Sequence, residues 1–304
     1  MKLLRIGPAG AERPAVLTPE GRVLDLAPVT AEIDGAFLAA DGIERAREAV
    51  AAGALPEFDF ENVVRDGRRV EPRIGAPIAR PGKVVCIGLN YRDHAAETGQ
   101  AVPERPVVFM KAPYTVIGPY DQVLIPRGSV KTDWEVELAV VIGRTARYLE
   151  SPDQAADVIA GYAISNDVSE REYQLERSPQ WDLGKSCETF NPLGPWLVTA
   201  DEVADPGTLG LRLSVNGTER QNGNTKNLIF DVPYLVWYLS QYMVLEPGDV
   251  INTGTPAGVA LGLPDHPYLR VGDSVDLGID GLGSQRQTFI EPRTTDPLTE
   301  QDLH

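Results

Sequence analysis

The stretch WEVELAVVIG, residues 134–143, decides how the rest of the chain is read. Glu135 and Glu137 stand two apart in a run of strand composition, and residues i and i+2 of a strand share one face, about 7 Å apart along the backbone. The residues that follow, Leu138-Ala139-Val140-Val141-Ile142, are too apolar for either face of the strand to lie in water. Two like charges entering such an interior repel unless one is protonated or a cation sits between them. All-oxygen ligation suits Mg²⁺, Mn²⁺ or Ca²⁺ rather than zinc. The spacing by itself leaves a second reading open, an edge strand that turns its acidic face to solvent.

Outward from this stretch, short apolar segments alternate with turns: VVCIGL, PVVFM, GYAISND, WLVT, LRLSVNG and DVIN. The chain carries 29 glycines and 25 prolines in 304 residues, well above their usual combined share of roughly 12%. That composition favours many turns and short strands over a helical bundle, so the expected class is mostly β or α+β. Two helices are expected. One covers 43–53, IERAREAVAAG, and is closed by Gly53. The other follows Asp231 as N-cap, with Pro233 in its first turn and Val232, Leu235, Leu239 and Tyr242 at helical spacing. Residues 1–75 read as a small N-terminal domain with strands near 3–6 and 22–26. The proline-rich EPRIGAPIARPGK (71–83) reads as a linker, 76–291 as the main domain, and 292–304 as a frayed polar tail.

The chain has 28 Lys plus Arg against 44 Asp plus Glu, a net charge of −16. Such a surface repels phosphate backbones and anionic lipid, so nucleic acid and membrane are not expected as partners. Cys86 and Cys187 are far apart and form no CxxC pair. The N-terminal MKLLRIGPAGAERPAV lacks an apolar signal-peptide core, and no run of about 18 apolar residues occurs. A cytoplasmic protein is expected.

Three further stretches carry chemistry. Asp167 ends the apolar segment GYAISND, where it is either a third carboxylate ligand or part of an Asn-Asp turn. In GLNYRDHAAETG (88–99), Asn90 is a candidate N-cap for a two-turn helix that places His94 and Glu97 on one face. A carboxylate against an imidazole fixes its tautomer and raises its basicity, as a general base requires. Taken alone, the pair reads as a surface i,i+3 contact. Lys185 lies among small residues in GKSCETF, and the glycine-rich TGTPAG (253–258) could cradle an anion but lacks a nucleotide-binding P-loop pattern.

Together GLNYRDHAAETG, KTDWEVELAVVIG (131–143), GYAISNDVSEREYQ (161–174), QWDLGKSCETFNPLGPW (180–196) and LEPGDVINTGTPAGV (245–259) occur in the order seen in the fumarylacetoacetate hydrolase family. The resemblance covers residues 80–290 and is closest to the subgroup of 2,4-diketo-3-deoxy-sugar-acid hydrolases, often named ureidoglycolate lyases. It implies a rolled, mixed β-sheet C-terminal domain with a small N-terminal domain. It also implies Glu135, Glu137 and Asp167 as metal ligands, and His94 with Glu97 as the catalytic dyad on a mobile helix. Lys185 then corresponds to the active-site lysine, and Arg171, Gln174 and Thr255 to substrate contacts. The implied enzyme is a Mg²⁺-dependent hydrolase, with Mn²⁺ or Ca²⁺ as other ions, that cleaves a 2,4-diketo acid to pyruvate and a carboxylic acid. Decarboxylation or tautomerisation of a keto-dicarboxylate, and ureidoglycolate lysis, are the alternatives. A small keto or diketo acid is the expected ligand and a homodimer the expected assembly. Two positions depart from the subgroup. Glu188 stands where Asp is usual and is expected to reshape the pocket wall. Glu170 stands where many members have Ala before the arginine and is expected to be peripheral.

Overall fold

The run after Glu135 forms the strand Val136–Ile142, buried at every position, because sheet neighbours flank it on both sides and a second sheet covers it. The computed structural model describes residues 1–60, 72–177 and 179–291, with the backbone alone of the paired strands Val64–Arg65 and Arg68–Arg69. The tail expected over 292–304 lies outside the described residues.

Among the described residues, the main sheet has eleven strands. Its path runs through Val23–Asp25, Arg13–Leu17, Lys2–Ile6, Asn191–Thr199, Ile159–Asn166, Val136–Ile142, Val250–Asn252, Val84–Gly88 and Val107–Lys111. Most neighbours are antiparallel, but Val250–Asn252 lies parallel to Val84–Gly88. A five-stranded sheet, from Val123–Leu124 through Gly283–Ile290, Ser274–Ile279 and Gly210–Val215 to Thr218–Asn224, packs over it. Along Ser274–Ile279 and Gly283–Ile290 buried positions alternate with more exposed ones, the signature of a sheet covered on one face. Leu211, Leu213, Val275, Leu277 and Phe289 meet Val136, Leu138 and Val140 in one core. The result is the expected sheet-dominated α+β architecture with few helices.

Several local expectations shift. The proline-rich 71–83 segment is packed over its described part: Ile74–Gly75 pairs with Lys2–Ile6, and Arg5 Nη1 donates to the Ala76 carbonyl at 3.1 Å. Proline removes donors but leaves carbonyls and apolar surface to be used, so Ile78 and Ala79 are buried. The strands of residues 1–25 join the main sheet through Lys2 opposite Val198 and Leu3 opposite Leu197. One helix spans Gly42–Ala51. The other spans Val232–Ser240, with the Asp231 carboxylate accepting the Tyr234 N–H at 2.9 Å. Tyr242 falls beyond its end and is 67% exposed, so its place in the apolar repeat does not bury it.

Candidate active site

The antiparallel register sets the site's floor. Val136 pairs with Asn166 and Glu137 with Ser165, which places Glu135 across from Asp167, whose N–H donates to the Glu135 carbonyl at 2.9 Å. Residues directly opposite share a face, and Glu137 joins them two positions along. All three are buried, and one oxygen from each lies within 4.8 Å of the others. Three buried hard oxygens converging this closely fit a divalent cation.

Cations close around this floor. Lys185 Nζ donates to Glu135 Oε2 at 2.8 Å and Asp167 Oδ2 at 2.9 Å. Arg171 Nη2 ion-pairs with Glu135 Oε1 at 2.7 Å, while its Nε donates to Asp133 Oδ2 at 2.8 Å and its Nη1 to Gln174 Oε1 at 3.0 Å. The motif spacing did not single out Lys111 or Asp133. Lys111 Nζ donates to Asp167 Oδ1 at 2.6 Å and to the Val168 carbonyl at 2.9 Å. Asp133 accepts the N–H groups of Ala260 and Leu261 as well as Arg171. Burial would push the Glu135 carboxyl up, but Lys185 and Arg171 overcome it and hold the group at about 2. Glu137 moves the other way: burial, then the charges of Asp167 and Glu135, raise it well above the usual carboxylate range. Burial works against the Lys185 ammonium, yet Asp167 and Glu135 raise its pKa, so it is a standing cation.

His94 and Glu97 ride on the six-residue helix Arg92–Glu97, with His94 Nδ1 3.4 Å from Glu97 Oε2. With Nδ1–H turned to Glu97, the lone pair lies on Nε2. Glu97 also accepts the Gly258 N–H at 2.9 and 3.1 Å. Asn90 is not the cap expected of it: Tyr91 occupies the N-cap position. The Asn90 amide instead donates to the Thr253 and Phe230 carbonyls and accepts the Phe230 N–H. A buried amide carries both donor and acceptor, and here both satisfy backbone groups of neighbouring loops.

The glycine-rich loop closes over the protein's own Glu137, whose Oε2 accepts the Gly254 N–H at 2.7 Å. The Thr255 hydroxyl donates to the Val136 carbonyl at 2.9 Å and accepts from Gln221 Nε2 at 2.8 Å. Gln221, on the Thr218–Asn224 strand, also accepts the Val136 N–H, clamping loop to floor. His94, Glu135, Glu137, Arg171, Gln174, Lys185 and Thr255 line one pocket, with Asp167 fully buried beneath and Glu97 behind the histidine. Two expectations need correcting. Glu188 is exposed and does not line this pocket. Glu170 is not peripheral: it is fully buried, and its Oε2 caps the helix Arg171–Leu175 by accepting the Tyr173 N–H at 2.7 Å. That cap steadies the helix bearing Arg171 and Gln174.

Comparison with known proteins adds three likenesses. The profile of the fumarylacetoacetate (FAA) hydrolase C-terminal domain matches residues 83–290, which include every candidate residue named above. A Burkholderia ambifaria protein named provisionally as a hydrolase is 52% identical over 294 residues, covering 96% of this chain and 100% of its own. Among solved structures, 2-hydroxyhepta-2,4-diene-1,7-dioate isomerase from Mycobacterium marinum shares 32% identity at a TM-score of 0.69, over 97% of this chain and 100% of its own. Maleylpyruvate hydrolase from Sphingobium sp. SYK-6, solved with manganese(II) and pyruvate, shares 27% identity at a TM-score of 0.77, over 96% and 100%.

Proposed function

The chain belongs to the fumarylacetoacetate hydrolase family, and from that premise we propose a divalent-metal-dependent hydrolase that cleaves a 2,4-diketo acid into pyruvate and a carboxylic acid. The observation that carries this reading is the convergence of Glu135, Glu137 and Asp167 within 4.8 Å, in a pocket that His94 also lines. These three carboxylates would hold the ion, Mg²⁺ in the first instance with Mn²⁺ or Ca²⁺ as substitutes. When bound, the ion would supply Lewis-acid polarisation of the 2-keto-carboxylate end.

The protein's own groups do the rest. His94, oriented by Glu97, takes a proton from water through Nε2, and the water oxygen adds to the C4 carbonyl. The C3–C4 bond then breaks, its electron pair passing into the enolate of pyruvate, and C3 is reprotonated. Lys185 is too firmly protonated to act as a base, so it serves as fixed positive charge toward the developing enolate. Arg171, Gln174 and Thr255 orient the substrate. A cytoplasmic homodimer, with motifs most similar to those of the diketo-sugar-acid hydrolase subgroup, completes the proposal.

The likeness to a dioate isomerase favours a second reading, tautomerisation at the same floor without an attacking water. Cleavage in ¹⁸O-water separates the two. Hydrolysis places one solvent oxygen in the carboxylate released from C4 and none in the pyruvate carboxylate. Isomerisation with no label in either carboxylate, or carbon dioxide release without a second acid, overturns the proposal.

A further inference from the structure

Beyond the carboxylates the pocket wall becomes apolar, in an order fixed by contacts. Lys185 Nζ lies 5.0 Å from the centroid of the Phe109 ring. That ring in turn lies 5.4 Å from the Trp181 ring at an interplanar angle of 59°, a tilted arrangement that aromatic pairs favour. Trp181 rests on Gly88, where a Cβ would stand 2.4 Å from the indole Cζ3, so a larger residue at 88 would displace the ring. Leu89, Leu175 and Leu261 extend the same wall, and Leu175 reaches solvent at 46% exposure.

Charge follows the opposite gradient. The cationic or titrating basic groups lining the pocket, among the described residues, are Lys185, Arg171 and His94. Glu135 and Asp167 engage Lys185, Asp133 and Glu135 engage Arg171, and Glu97 engages His94. An ionised group at the far end of a substrate would meet Phe109, Trp181 and the leucines with no free cation, and a desolvated charge without a partner is strongly disfavoured. For a polyhydroxylated tail the same wall offers Gln100 and Thr98, and Thr98 already gives its hydroxyl proton to the His94 carbonyl at 3.0 Å.

We propose that the substrate is an acylpyruvate with an apolar tail, alkyl or aryl, and that Trp181 is the side chain that selects it. This rests on the diketo-acid reading of the site. The anionic head lies at the carboxylate floor and Lys185, and the tail runs along Phe109 onto Trp181.

The test measures kcat/KM of the Mg²⁺-loaded enzyme on acetylpyruvate, hexanoylpyruvate, benzoylpyruvate, succinylpyruvate and a 2,4-diketo-3-deoxy sugar acid. Hexanoyl- and benzoylpyruvate should exceed succinylpyruvate by about 30-fold or more, the scale on which pocket contacts discriminate. Trp181→Ala should cut the benzoyl-to-acetyl ratio by about tenfold, with Trp181→Phe retaining most of it. Leu175→Arg should narrow the hexanoyl-to-succinyl gap by supplying the missing cation. Melting temperatures show that each variant is folded. Preference for succinylpyruvate or the sugar acid overturns the inference while leaving the hydrolase reading intact. An unchanged benzoyl-to-acetyl ratio in Trp181→Ala overturns the role of Trp181. Isomerisation of these compounds without cleavage of any of them brings down the hydrolase reading and the inference together.

Discussion

Glu135, Glu137 and Asp167 hang from strands paired residue by residue at the centre of the main sheet, whereas His94 and Glu97 ride on a helix of six residues. The floor is locked by backbone ladders on both sides and by three buried cations. A helix that short is unstable alone, and this one is moored by side-chain tethers. Arg92 donates to the Leu228 carbonyl, Asn90 to Thr253 and Phe230, and Glu97 accepts from Gly258. The half that gathers charge is therefore part of the central sheet, while the histidine-bearing half is held through side-chain contacts to neighbouring loops. Substitutions in the two halves should separate cleanly in what they damage.

The largest effect is expected at the helix that bears His94. His94→Ala should lower the hydrolytic rate about 10²–10⁴-fold while leaving the Mn²⁺ dissociation constant, measured by calorimetry, and the melting temperature nearly unchanged. Loss of metal affinity with the rate retained would make His94 a ligand and erase the distinction between the halves.

On the floor the currency is stability. Lys111→Met removes one cation from Asp167 at a fully buried position and should cost about 3–5 kcal/mol of unfolding free energy. Saturating Mn²⁺ should recover part of that loss, because an ion bound to Asp167 replaces the missing charge. A denaturation midpoint equal to wild type would show that Lys111 does not support the floor.

Metal removal comes next. EDTA treatment should abolish activity and lower the melting temperature by a few degrees, as expected from about 2.7 kcal/mol of linkage at a hundredfold excess over Kd. Mg²⁺ or Mn²⁺ should restore both. The affinity has a defined pH slope: Glu137, its pKa raised by burial and by the charges of Asp167 and Glu135, is the carboxylate at which a proton competes with the ion. Binding should weaken as the pH falls. Full activity in metal-free protein would remove the floor from the chemistry altogether.

The smallest effect tests the cap beneath the substrate-facing helix. Glu170→Ala should cost about 1 kcal/mol, read as a lower thermal midpoint, and should raise KM more than it lowers kcat by loosening Arg171 and Gln174. A kcat loss with KM unchanged would place Glu170 in the proton-transfer half instead.

How much of this was legible in sequence follows from how far apart the partners lie along the chain. The two-residue spacing of Glu135 and Glu137 and the three-residue spacing of His94 and Glu97 are local, and strand and helix geometry turn them into shared faces directly. The Asp231 cap with Pro233 is equally local and positions the helix Val232–Ser240. Lys111 meets Asp167 across 56 residues and Gln221 meets Thr255 across 34. Neither belongs to a local pattern, because only the tertiary packing of separate segments makes those contacts. Asn90 misled for a related reason: an asparagine before a helix looks like a cap until tertiary neighbours claim its amide. Glu170 looked peripheral because its neighbours in sequence do not reveal the end of the helix it closes.

The loop at 253–258 has a consequence of its own. Its Gly254 N–H is held by Glu137 and its Gly258 N–H by Glu97, so one short ribbon is pinned at one end to the ion-gathering strand and at the other to the histidine's partner. Both glycines sit at positive φ, +100° and +107°, and a Cβ on Gly258 would stand 1.9 Å from the Arg220 carbonyl oxygen. The ribbon can neither lengthen nor take a side chain at that end without moving a pin. It works as a gauge, setting the span between the carboxylate behind His94 and the carboxylates of the floor.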